Sequence, residues 1–99
     1  MKVNFSQAIK DFEGETVKDE MGKELSLSEI CVKAILALFK SEENISGEEK
    51  YKRYKLSDKI YNKSEVELSA EEVAEVKKLV GKMYSPLVVG LVYDILEGR

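Results

Sequence analysis

An α+β domain of about four helices with a small antiparallel sheet is what this 99-residue sequence predicts, on three observations. Ser-x-x-Glu stands ahead of three runs with helical spacing, at Ser26, Ser46 and Ser69. A Ser85–Pro86 pair opens a fourth such run, and short stretches near the N-terminus and at 65–68 alternate apolar with polar residues as half-buried strands do. No repeat, low-complexity tract or linker composition stands out, so residues 1–99 read as one small domain. A chain of this length buries about 60 to 65% of the surface it exposes when unfolded, and 43% hydrophobic content supplies one thin core.

Taken in order, "KVNF" places Val3 and Phe5 on one face of a strand near 2–6. "EGE" and "MGK" supply turn glycines at Gly14 and Gly22, and a second strand falls near 15–18. Ser26 with Glu29 forms the first capping box, and Leu25 with Ile30 occupies the two positions of a hydrophobic staple, so a helix is expected over 27–40. That helix is apolar around most of its circumference and reads as the central core element. Ser46 with Glu49 opens a second helix over 47–62, without a staple because Lys50 stands where the apolar partner would be. "EVEL" supplies a third strand at 65–68, with Val66 and Leu68 inward. Ser69 with Glu72, and Leu68 with Val73, begin a third helix over 70–84 that carries one buried stripe of Val73, Val76, Val80 and Met83. The fourth spans 86–97: Ser85 suits the N-cap, Pro86 the first helical position, and Gly98 the left-handed position past the end.

Several kinds of chemistry lack their residues. The chain has no histidine, which removes Ser-His and Cys-His nucleophilic catalysis and the usual zinc ligand sets. Cys31 is the single cysteine and lies in the most apolar helix, where a thiol is held protonated, so it reads as structural and the compartment as reducing. "DFEGETVKDEMGKE" is acid-rich but lacks the ligand spacing of a calcium loop. No catalytic residue, metal site or cofactor is therefore expected. The N-terminus has neither the apolar stretch of a signal peptide nor the arginines of a transit peptide, which points to the cytoplasm. The apolar run "PLVVGLVYDILE" spans about 18 Å as a helix against about 30 Å of hydrocarbon, and its polar residues Asp94 and Glu97 are acidic, so neither a membrane span nor an in-plane anchor is expected.

Two surfaces remain as binding candidates. Over residues 50–63 six cations face only Asp58, a local charge of +5 in a chain whose formal net charge is −3. At about 100° per residue, Tyr51, Tyr54 and Tyr61 fall on one side of this helix, and Leu56 and Ile60 nearly opposite. The candidate residues are Lys50, Tyr51, Lys52, Arg53, Tyr54, Lys55, Lys59 and Tyr61. They suit an acidic protein surface, or a nucleic acid whose bases stack on rings while lysines meet phosphates; the plainer account is a solvated face with lysine stems over apolar area. In the fourth helix, Gly90 suggests a close crossing that also involves Gly81, or self-association through an outer face including Val88, Gly90 and Tyr93.

The succession "LSLSEICVKAIL", "ISGEEKYKRYKL" and "VELSAEEVAEVKKLVGKMYSPLVVGLVYDILEG" resembles small, mostly uncharacterised proteins of tailed bacteriophages and prophages. The resemblance implies a bacterial cytoplasmic setting and an accessory role, such as host takeover, counter-defence or regulation of phage genes, and transfers no functional residues. The expected function is a non-enzymatic interaction protein whose partner is another protein or a second copy. The alternative is nucleic-acid binding through the Lys/Tyr-rich helix 47–63.

Overall fold

A computed structural model describes residues 2–40 and 44–98 of the chain. Its elements run β1 (Lys2–Val3), α1 (Leu27–Leu36), α2 (Gly47–Ile60), β2 (Val66–Glu67), α3 (Ala70–Met83) and α4 (Pro86–Leu96). α1 lies at the centre, packed on α2 and α3, and α3 carries α4. β1 and β2 pair antiparallel, with Lys2 opposite Glu67 and Val3 opposite Val66. The architecture is the expected α+β, with four helices and a small sheet.

The serines start three helices as their spacing predicts. Ser26, Ser46 and Ser69 each accept at Oγ from the backbone N–H three residues on, at 3.1, 3.0 and 3.1 Å. Each such cap is worth about 1 kcal/mol. The reciprocal half of the box closes at Ser69, whose N–H donates to Glu72 Oε1 at 2.9 Å. Glu29 is drawn instead toward Lys23, 3.0 Å away. At α4 the serine is at the N-cap position but its side chain makes no capping bond, so the start rests on Pro86. Gly98, at φ +78°, ends the helix and donates its N–H to the Ile95 carbonyl.

α1 stops at Leu36, four residues short of its expected end. Ala37 turns extended at ψ 145°, and Leu38 stands exposed where a continued helix would have aimed a residue at the core. "LALFK" holds no glycine or proline to mark this end, so the tertiary path overrides helix propensity here.

The N-terminal quarter holds an internal repeat that the sequence reading missed. Ile9-Lys10-Asp11-Phe12-Glu13-Gly14 is followed eight residues later by Val17-Lys18-Asp19-Glu20-Met21-Gly22, and Leu25 begins a third pass. In each copy the aspartate Oδ1 accepts two backbone N–H groups: Glu13 and Glu15 on Asp11, at 2.9 and 3.0 Å, and Met21 and Lys23 on Asp19, both at 2.9 Å. The glycines sit at φ +82° and +83°, a left-handed conformation that glycine adopts without strain. The heads of successive copies are joined, Val17 N–H to the Ile9 carbonyl and Leu25 N–H to the Val17 carbonyl. Segment 15–18 thus belongs to this tandem-turn arm and lies outside the β1–β2 sheet.

Below the arm the chain is locked to both flanking helices. Phe5 is fully buried; its N–H donates to the Lys63 carbonyl at 2.9 Å, and its own carbonyl accepts the Ser28 N–H at 2.7 Å. Ser28, also fully buried, accepts at Oγ from the Asn62 N–H at 2.9 Å. Asn62 takes φ +53° past the end of α2, which asparagine tolerates better than most side chains.

The close approach of α4 is at Gly81 alone. Tyr93 Oη donates to the Lys77 carbonyl at 2.8 Å, and a β-carbon on Gly81 would lie 2.7 Å from that oxygen. Gly90 meets nothing within 4 Å, contrary to the expected crossing at both glycines. Gly90→Ala should therefore raise stability by about 1 kcal/mol through helix propensity. Gly81→Ala should lose that gain to displacement of the tyrosine hydroxyl, and recover it in a Tyr93→Phe background. Urea melts of the four variants measure this, and equal gains at the two glycines in the wild-type background would refute it.

Candidate functional site

α2 presents two unlike faces. Leu56, Ser57 and Ile60 turn inward, while Tyr51, Tyr54 and Tyr61 keep 57–61% of their surface exposed. Tyr51 and Tyr54 stack on each other, with ring centres 6.2 Å apart and planes 27° from parallel, and Lys55 Nζ lies 5.9 Å from the Tyr51 ring centre. Pairs of this kind cost little entropy to immobilise further, because rings have few torsions and these already rest on one another. Lys50, Lys52 and Lys55 surround the pair and are exposed.

The predicted candidates divide. Lys50, Tyr51, Lys52, Tyr54, Lys55 and Tyr61 reach solvent, whereas Arg53 is 5% exposed, with Nε 4.0 Å from Glu75 Oε1 on α3. Arg53 is one helical turn from Leu56 and Ser57, so it shares their inward face and is a structural cation. Lys59 leans across to α3 and meets both oxygens of Glu72, at 2.9 and 3.0 Å. Burial pushes the Glu72 carboxyl up, but the Ser69 N–H and the Lys59 ammonium together outweigh it and hold the group below its usual range.

Between α2 and α3 runs a cleft of about 750 Å³ with walls of opposite charge. Tyr51, Lys52, Lys55 and Lys59 line one side, and Glu71, Glu72 and Glu75 the other. The cation excess of α2 is thus partly neutralised on the α3 side, where Tyr51, Lys52 and Lys55 border the cleft, whereas Lys50 and Tyr54 lie outside it.

The α4 candidates do not share a face. Val88 is 9% exposed and turned to the core, Tyr93 is tied to α3, and Gly90 faces outward. The solvent side of α4 consists of Pro86, Leu87, Gly90, Asp94 and Glu97, which is not a continuous apolar strip. No helix among the described residues is long and apolar enough to cross a membrane.

Cys31 is fully buried, and loss of solvent pushes its thiol up to about 12, which keeps it protonated near neutral pH. Among the described residues no cluster of three or more Cys, Asp or Glu side chains is arranged to hold a metal ion. Outside the predicted set, Leu36, Leu38, Met83 and Leu87 are also exposed, and two further apolar residues are almost fully so. Phe12 and Met21, at 91% and 92% exposure, crown the two turns of the N-terminal arm. The eight-residue spacing of Asp-x-x-Gly was the signal that locates them.

No family model matches the chain, and no curated protein or solved structure is significantly similar to it.

Proposed function

We propose that the protein is a non-enzymatic interaction module that engages a protein partner through the outer face of α2. The observation that carries this reading is the stacked, more than half-exposed Tyr51–Tyr54 pair ringed by Lys50, Lys52 and Lys55. Tyrosine is enriched among the residues that dominate protein interfaces, and the lysines select an acidic counterpart and speed its approach. The resemblance to phage proteins favours a bacterial cytoplasmic setting, with the module acting as an accessory factor on a host or phage protein.

Nucleic acid is the second reading, favoured by the alternation of tyrosine with lysine. An extended phosphate backbone tracking the cation row would pass Glu71, Glu72 and Glu75, whereas a compact acidic patch of a protein can seat at Lys50 and Tyr54, which do not line the cleft. Affinity capture from bacterial extract, with and without nuclease, tests both readings when wild type is compared with Tyr51→Ala/Tyr54→Ala. A nuclease-resistant protein held by wild type and lost by the double variant supports the proposal. Identical captured sets overturn it. Capture that disappears with nuclease, together with salt-sensitive anisotropy on labelled single-stranded or duplex DNA or RNA, transfers the function to nucleic acid.

A further inference from the structure

We infer that the Tyr51–Tyr54 face of α2 also receives the N-terminal arm of a second copy of this chain; the inference rests on α2 being a docking surface and names one occupant for it. The argument is complementarity between two surfaces of the same molecule. The arm over residues 11–24 has six acidic residues against two lysines, a charge of −4, while α2 offers the exposed cations Lys50, Lys52 and Lys55, uncommitted among the described residues. Each surface has exposed apolar groups set among its charges: Phe12 and Met21 on the arm, Tyr51 and Tyr54 on the helix.

The arm is also built to present its tips. Asp11 and Asp19 spend their Oδ1 atoms on their own turns, so those loops are braced from within. Glu13 and Glu20 stand exposed beside the two apolar tips. In the docked arrangement Phe12 and Met21 lie on the tyrosine rings, a thioether on an aromatic being a favourable contact, and the glutamates approach Lys52 and Lys55. The contact joins two different patches, so a pair either docks reciprocally about a twofold axis or leaves one arm and one α2 face free to extend head to tail.

Sedimentation velocity on the full chain tests this across a concentration series at low and high ionic strength. Average mass should rise with concentration at low salt and fall back toward the monomer at high salt. Lys52→Glu/Lys55→Glu and Glu13→Lys/Glu20→Lys change exposed side chains only, and circular dichroism verifies that both fold. Each variant alone should associate at least about tenfold more weakly than wild type, and an equimolar mixture should regain association because opposite charges meet again. A wild type that stays monomeric at low salt overturns the inference, as does association that neither variant weakens. If wild type is monomeric but still captures a partner through Tyr51 and Tyr54, self-docking falls and the interaction reading stands. If self-association depends on those tyrosines but no partner is captured, the inference stands and the reading of a separate partner falls.

Discussion

Phe5→Ala is expected to destabilise the fold by about 3–5 kcal/mol, the usual cost of truncating a fully buried phenylalanine. A domain of this size has about 5–15 kcal/mol in total, so the variant is left with a small margin. The cost has two sources. The ring is part of the buried hydrophobic core, and the empty volume it leaves cannot collapse freely, because the Phe5 backbone is held on both sides by Lys63 and Ser28. Phe12→Ala is the control, the same substitution at a side chain 91% exposed, and should stay within about 0.5 kcal/mol of wild type. Urea melts followed by circular dichroism compare the two. With a slope of about 1–3 kcal/mol per molar, the Phe5 midpoint should fall by more than about 1 M while that of Phe12 hardly moves. Similar midpoints for the two variants would show that Phe5 contributes little to the core.

The contrast between these phenylalanines marks what the sequence could reveal about the fold. Signals confined to a few residues were legible: Ser-x-x-Glu named three helix starts, and alternation in "KVNF" turned Val3 and Phe5 inward together. Features set by distant parts of the chain were not. The end of α1 has no local stop residue and is decided by where the chain must go next. The twin turns were written in the sequence as Asp-x-x-Gly spaced by eight, but with dissimilar residues between, so the repeat becomes plain only when both aspartates are seen holding the same two N–H groups.

Legibility of the candidate surface divides in the same way. Helical spacing placed the tyrosines opposite Leu56 and Ile60, and they are exposed as that geometry requires. Spacing gave no indication that Arg53 is buried against α3 or that Lys59 is committed to Glu72, because both depend on glutamates more than a dozen residues away. A count of charge along α2 therefore overstates what a partner meets. The effective surface is Tyr51, Tyr54, Lys50, Lys52 and Lys55, with Tyr61 at its edge.

Ser28→Ala should cost about 1–3 kcal/mol, more than a small exposed hydroxyl would contribute, because Oγ accepts a backbone N–H from within the core. The Asn62 N–H reaches no other described acceptor, and alanine offers none in the space that the hydroxyl occupied. Asn62 already bears a left-handed backbone, so the lost bond falls on a junction with little reserve. The damage should be local before it is global. Asn62 and Lys63 lie just past the C-cap of α2, and Lys63 is the acceptor for Phe5, so loosening there frees the end of α2 and the segment after β1 together. Hydrogen exchange should accordingly show lost protection at Asn62 and Phe5 ahead of α3, whose N-terminal cap and packing against α1 do not involve this junction. Asn62→Gly in the Ser28→Ala background should restore part of the loss, since glycine takes the left-handed conformation without a side-chain penalty. Uniform loss of protection across all four helices would instead mean that the Ser28–Asn62 bond supports the whole core and not this one corner.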